Sequence, residues 1–348
     1  MHAKFSLLLA AILTGFAAVH AAPANATVPT SPITHNEFGE PHTPEFAAGL
    51  AAHQADIENS NNGSGVSRLA SVATVSTLST AQVSAFRPFT YYASAAYCSP
   101  ASTRIWSCGA NCNANSGFIP TASGGDGVVT QYWYVGYDPT LQTVIVAHQG
   151  TDASKILPVI TNINFDPRAL SRSLFPGVPT NVRVHDGFGD AQERSAAAAL
   201  SAVRTTIAQR GASKVTVVGH SLGGAIGLLS ALHLKLQLPS SVNVQYRGYG
   251  IPRVGNPAFA TYIDSLFGTS GAIQRVANRK DPVPILPGRF LGFSHTSGEI
   301  HIDEGGVWNG CAGQDNTDGR CTVGAVPNVF VGRAGDHSGP FDGVMIGC

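Results

Sequence analysis

Between Lys214 and Leu238 the chain passes from a β-branched apolar stretch, through Gly219-His220-Ser221-Leu222-Gly223-Gly224, into a long apolar helical run. This succession constrains the fold more than anything else in the 348 residues. A run of Val and Thr with no polar alternation is buried on both faces, as in a parallel sheet covered by helices. Glycines on either side of Ser221 indicate a strained strand-to-helix turn that exposes the serine hydroxyl, because a Cβ there would strike the adjoining strand or helix. The helix that follows, Ala225 to Leu238, directs its N-terminus at the place where negative charge develops when a hydroxyl attacks a carbonyl.

The flanking sequence agrees with an α/β domain. Ala81 to Tyr97 carries Val83, Phe86, Phe89, Tyr92 and Ala96 at helical spacing, with Pro88 expected to kink or divide it. Gln131 to Tyr137 and Thr143 to Ala147 read as two strands of a hairpin turned at Asp138-Pro139. Gly189 to Gln209 is an Ala-rich helix stopped by Gly211, and Ala272 to Asn278 is a further strand. Alternating strands and helices call for a mostly parallel sheet with helices on its faces.

The N-terminus reads as an export segment. His2 and Lys4 precede an apolar run from Phe5 to Val19, and Ala21 and Ala22 follow, so residues 1–21 are expected to be a signal peptide. The run is too short for a membrane span, and no later apolar stretch is long enough without charge or punctuation. Residues 22–78, rich in Ala, Ser, Thr, Asn and Pro, are expected to be a low-complexity leader or propeptide, with an ordered extension as the alternative. Asn25 and Asn62 head glycosylation sequons there. The catalytic domain is expected over residues 79–348. In an oxidising compartment the six cysteines suggest three disulfides, with a zinc site at Cys108 and Cys112 as the competing reading.

Lys and Arg balance Asp and Glu at 21 each. The leader holds five acids against one base and Lys4 belongs to residues 1–21, so residues 79–348 hold 19 bases against 16 acids, a net charge of +3. Without clustered cations, that charge excludes nucleic acid as a partner.

A serine hydroxyl needs a base, and the base needs an orienting acid, arranged after this kind of turn in the order serine, acid, histidine. Asp281 stands where the strand Ala272 to Asn278 gives way to Pro282-Val283-Pro284, at the carboxyl end where such sheets place their sites. Asp264, Asp303 and Glu304 read as solvated surface groups. His233, inside the helix leaving the turn, reads as a surface or packing residue. His295, His301 and His337 all remain candidates for the base on spacing alone.

Several motifs, in order, resemble the class 3 lipases of filamentous fungi: Ala95-Ala-Tyr-Cys98, Val146-Ala-His-Gln-Gly-Thr-Asp152, Val184-His-Asp-Gly-Phe188, Gly219-His-Ser-Leu-Gly-Gly224, Gly250-Ile-Pro-Arg-Val-Gly-Asn256, Arg279-Lys-Asp-Pro-Val-Pro284, His295-Thr-Ser-Gly-Glu-Ile300 and Asp336-His337. The resemblance covers about residues 80–348. It implies an α/β-hydrolase fold, with Ser221 as nucleophile, Asp281 as acid and His337 as base, leaving His295 and His301 structural. It also implies an oxyanion hole built from Thr151 and Leu222. One departure is that His148-Gln149 replaces the Phe-Arg common before the Gly-Thr pair, which removes a charged support for that loop.

The same resemblance implies a lid after Thr151. There Ile156, Leu157, Ile160 and Ile163 share one side of a short helix beside Val159 and Phe165, against the plainer reading of a core helix. It further implies the pairings Cys98–Cys348, Cys108–Cys112 and Cys311–Cys321. The expected protein is a secreted, monomeric serine esterase that cleaves acylglycerol esters at a lipid–water interface, with acyl chains near Leu222, Val283, Ile285 and Leu286 and with neither cofactor nor metal. Feruloyl esterases share these motifs, so action on soluble aromatic esters is the alternative. An inactive lipid-binding relative is a remote one.

Overall fold

The run expected to be a doubly buried strand lies at the centre of a nine-stranded sheet in the computed structural model, which describes residues 74–151, 167–268 and 271–348. All of these lie in one unit, Ala48–Cys348. The segment expected to be a signal peptide, most of the expected leader with Asn25 and Asn62, and the six residues expected to form a lid, Ile156, Leu157, Val159, Ile160, Ile163 and Phe165, lie outside the described residues.

In chain order the strands are β1 (Val75–Thr77), β2 (Ile119–Gly124), β3 (Trp133–Asp138), β4 (Thr143–His148), β5 (Pro167–Ala169), β6 (Arg183–His185), β7 (Lys214–His220), β8 (Asn243–Tyr249), β9 (Ile273–Asn278), β10 (Glu299–Ile302) and β11 (Trp308–Cys311). The large sheet runs β1-β11-β10-β9-β8-β7-β4-β3-β2. Its middle is parallel, from β4 through β7, β8 and β9 to β10. The expected hairpin is β3 paired antiparallel with β4, Trp133 opposite His148. At the other edge β1 pairs with β11, Val75 opposite Cys311, so part of the segment expected to be a leader completes the sheet.

Strand alternation divides the core. Val144, Val146, Val215 and Val217 point to one face, where they meet two helices, α5 (Asp186–Arg210) and α6 (Leu222–Gln237). Ile145, Ala147 and Val218 point to the other, against Tyr92, Ala95 and Ala96 at the first helical segment. That segment is divided, as Pro88 required, into α1 (Thr80–Ser84) and α2 (Arg87–Ala95), with Pro88 in the first turn of α2, where its missing N–H costs nothing. Two short helices, α3 (Pro100–Arg104) and α4 (Ala110–Asn113), follow it. α6 is apolar nearly all round because it is enclosed on all sides. α7 (Pro257–Phe267) starts at an Asn256 cap, whose side chain accepts from the Phe259 N–H. Among the described residues no helix is long and apolar enough to cross a membrane.

All six cysteines are paired, as Cys98–Cys348, Cys108–Cys112 and Cys311–Cys321. Cys108 and Cys112 are bonded to each other, so their short spacing reflects a small closed loop. Asp264, expected on the solvated surface, instead accepts hydrogen bonds from the Ser297 N–H, the Ser297 hydroxyl and Gln314 Nε2. Asp303 accepts from the Gly305 and Val307 N–H groups within its turn, and Glu304 pairs with Arg333 at the surface.

Candidate active site

The site begins at the junction of β7 and α6. Ser221 has φ 57° and ψ −131°, a region that L-residues occupy only when their surroundings force them to. The glycines around it are required by contact: a Cβ on Gly219 would lie 2.2 Å from the Gly223 carbonyl oxygen, one on Gly223 2.2 Å from the His148 carbonyl oxygen, and one on Gly224 2.2 Å from Ile251 Cγ2. The turn is secured by the Ser221 N–H donating to the Tyr249 carbonyl at 2.9 Å. Leu222 is the first residue of α6, a position whose N–H has no intrahelical acceptor and is available to an anion.

Asp281 follows β9, two strands from the serine, so both groups leave the carboxyl ends of parallel strands. Its Oδ1 accepts from the Val283 N–H at 2.9 Å, which leaves Oδ2 to accept from His337 Nδ1 at 2.8 Å. Asp281 and His337 are 1% and 2% exposed. With its proton on Nδ1, the neutral His337 ring carries a lone pair on Nε2, and that nitrogen is buried with no hydrogen-bond partner among the described residues. Beside this pair Gly250 has φ 54°, and a Cβ on it would come within 2.9 Å of Asp281 Oδ2 and 3.0 Å of His337 Nδ1. The glycine therefore leaves the room that the two side chains need to meet.

Thr151, half-buried, follows Gly150 just past the end of β4. Where a charged support was expected, the neutral Gln149 is tied to Tyr132. Its N–H donates to the Tyr132 carbonyl at 2.8 Å, and its Oε1 accepts from the Tyr132 N–H at 2.9 Å. His148, fully enclosed, lies 3.0 Å from the Ser230 hydroxyl through Nε2 and is pushed down to about 4 by burial.

His295, His301 and His233 have partners of their own. His295 donates from Nε2 to the Pro284 carbonyl, and burial holds it well below the ordinary imidazole range. His301 lies between the carbonyls of Arg320 and Arg279, and His233 is buried against Phe175. Two residues without an assigned role in the sequence do belong to the site. His220 Nδ1 lies 2.7 Å from the Tyr97 hydroxyl, and His220 Nε2 lies 2.8 Å from the His337 carbonyl. Both stand inside recognisable motifs, but nothing local in either shows that residues 123 positions apart would touch.

Arg253, 2% exposed, stands behind the Asp281 segment. It donates to Asp315 Oδ1 through Nε at 2.9 Å and to the Pro287 carbonyl through Nη1 at 2.8 Å. It also donates to the Ile285 carbonyl, so one guanidinium holds the turn that follows Asp281. Val283, buried in that turn, packs on Leu286.

Residues 145–291 match the sequence profile described as Lipase (class 3). The chain is 32% identical over 206 residues to the secreted mono- and diacylglycerol lipase MDL4 of Malassezia globosa, covering 59% of this chain and 65% of that one. It is 34% identical over 221 residues to secreted mono- and diacylglycerol lipase 3 of Gibberella zeae, covering 62% of this chain and 68% of that one. Among solved structures, a triacylglycerol lipase whose catalytic centre is described as a serine protease triad superposes with a TM-score of 0.67 at 27% identity, over 78% of this chain and 98% of that one.

Proposed function

The chain belongs to the class 3 lipases, and on that premise we propose that it is a secreted carboxylic ester hydrolase acting on acylglycerols. The observation that carries the reading is the Asp281–His337 pair, closed at 2.8 Å, with His337 Nε2 left without a partner among the described residues. In the proposed mechanism Nε2 takes the Ser221 proton as Oγ attacks the ester carbonyl. Asp281 holds the ring in the tautomer that makes this possible and stabilises the imidazolium that forms. The N–H groups of Thr151 and Leu222 and the Thr151 hydroxyl receive the oxyanion. The imidazolium then protonates the leaving alcohol, and water releases the acyl group by the same steps in reverse order of proton transfer. Acyl chains lie against Leu222, Val283, Ile285 and Leu286.

Two features favour a lipid surface as the place of action. Phe330 is 93% exposed between the exposed Val329 and Val331, seven residues before His337, and an exposed apolar cluster of that kind suits contact with a lipid surface. The apolar stripe from Ile156 to Phe165, read as a lid, would add to it. The protein is proposed to act as a monomer and to leave the cell through residues 1–21, with glycans on Asn25 and Asn62. Mass spectrometry of secreted material reads the mature N-terminus and the glycans together.

The decisive test is labelling by a fluorophosphonate together with turnover of emulsified diacylglycerol, triacylglycerol and soluble methyl ferulate. Ser221→Ala is expected to lose both labelling and turnover, and Asp281→Asn to lose about 10⁴-fold in kcat. A clear preference for methyl ferulate would move the protein to the aromatic esters. Labelling that survives in Ser221→Ala would remove the mechanism.

A further inference from the structure

We propose that Tyr97 is a positioning residue for the base, acting through the proton placement on His220. The inference rests on the triad reading above and extends it to a residue that touches none of the reacting atoms. His220 Nε2 lies 2.8 Å from the carbonyl oxygen of His337, which can only accept, so Nε2 carries a proton. A neutral imidazole has one N–H, so Nδ1 presents a lone pair, and the Tyr97 O–H donates to it at 2.7 Å. The direction of both hydrogen bonds is thereby determined, from Tyr97 through His220 to the main chain of His337.

The surroundings explain why His220 stays neutral. Its ring is 1% exposed and lies 4.4 Å from the His337 ring, which becomes cationic during turnover. Burial first, and the neighbouring His337 second, hold His220 well below the ordinary imidazole range. The lone pair that could still take a proton is the one engaged by Tyr97.

Tyr97 is also placed to couple the three loops of the site. It sits just past the end of α2, next to Cys98, which is bridged to Cys348 near the end of the base loop. A Cβ on Gly150 would fall 2.2 Å from the Tyr97 oxygen and 2.5 Å from the His220 carbonyl oxygen, so that hydroxyl fits directly against the strand end leading to Thr151. Without the hydroxyl, His220 is free to carry its proton on Nδ1. Its Nε2 lone pair then faces the His337 carbonyl at hydrogen-bond distance, and repulsion displaces the base from Ser221. A displacement of even part of an ångström at a reacting pair is costly.

The test is Tyr97→Phe in the secreted full-length enzyme, assayed on soluble p-nitrophenyl butyrate and followed by thermal unfolding. The expected result is a fall in kcat of about tenfold with KM within about twofold and little change in Tm, the size expected for one tautomer-fixing hydrogen bond. In ¹⁵N-histidine spectra His220, assigned by its loss in His220→Gln, is expected as the Nε2–H tautomer in the parent and as a mixture in Tyr97→Phe. His220→Gln is the discriminating background, because a Gln amide donates to the His337 carbonyl with no tautomer to choose. There Tyr97→Phe is expected to cost nothing further in kcat. An unchanged kcat in Tyr97→Phe overturns the proposal, as does a fall with the His220 tautomer intact or a full tenfold fall in the His220→Gln background. Survival of fluorophosphonate labelling in Ser221→Ala would instead overturn the triad reading, whatever Tyr97 does.

Discussion

The two residues of the Asp281–His337 pair are held by opposite means. Asp281 is backed by buried charge: Arg253 and Asp315 meet at 2.8 Å with side chains 2% and 6% exposed, and the Ser294 hydroxyl and His295 N–H also donate to that carboxylate. The loop that brings in His337 is largely exposed. There Arg333 bonds Asp336 at 2.9 Å and pairs with Glu304 in water, while the Arg333 N–H donates to the Lys280 carbonyl and Asn278 Nδ2 donates to the Asp336 carbonyl. The chain end beyond His337 is tied back by Cys98–Cys348. Buried ions hold rigidly because leaving one unpaired is very unfavourable, whereas exposed ions exchange their partners for water at little cost. The His337 loop thus depends on main-chain bonds and a covalent tether for what the Asp281 side obtains from charge.

The largest expected effect tests the buried side. Arg253→Met leaves Asp315 without its cation and is expected to lose about 3–5 kcal/mol in urea unfolding at pH 7, with kcat falling as the Asp281 turn loosens. A loss under about 1 kcal/mol would mean that packing, not charge, holds this wall. The tether comes next. Replacing Cys98 and Cys348 together by Ser opens a loop with a sequence separation of 250 residues and is expected to cost about 2–4 kcal/mol. If the base loop relies on the tether, kcat falls while fluorophosphonate still reaches Ser221 slowly; an unaltered kcat would assign positioning to the main-chain bonds alone.

Acid should find the buried regions before the exposed loop. His148 is pushed down to about 4 by burial, so in the folded state it resists a proton that the unfolded chain accepts near 6.5. A depressed histidine contributes stability that is complete above about pH 6.5 and is lost as pH falls toward 4. The expected loss from this residue between pH 6.5 and 5 is about 2 kcal/mol, and His295, also held low, acts in the same direction. Urea midpoints across that range, with His148→Gln showing the shallower slope, check it. The smallest effect is reserved for the surface pair: Arg333→Ala is expected to leave the unfolding midpoint within error at both low and high salt. A measurable drop at low salt would show that the exposed clasp helps to hold His337.

The comparison itself needed the tertiary structure, but part of the fold and of the candidate site was legible before it, and the line between what was and was not follows a physical rule. The buried strand, the glycine turn at Ser221 and the helix after it follow from local sterics and from the two-sided burial of a β-branched run. Pro88 divided its helix for the same local reason. The catalytic candidates Ser221 and Asp281 could be placed because each follows directly from a strand's carboxyl end. His337 could not be separated from His295 and His301 by spacing alone, since His295 and His337 sit in irregular segments and His301 in a strand, β10, and which of them meets Asp281 depends on contacts distant in sequence.

Only the tertiary structure could bring Tyr97 to His220, Arg253 to Asp315 and Asp264 to Ser297, or recruit Val75–Thr77 to the edge of the sheet. In each case a polar group or a strand edge finds a partner far along the chain, and its burial makes that partner obligatory. By itself the sequence determined the elements and the chemistry at the serine turn, because these depend on backbone sterics and on which faces exclude water. The folded chain alone decided which buried donors and acceptors would satisfy one another, because that depends on what the fold brings within three ångströms.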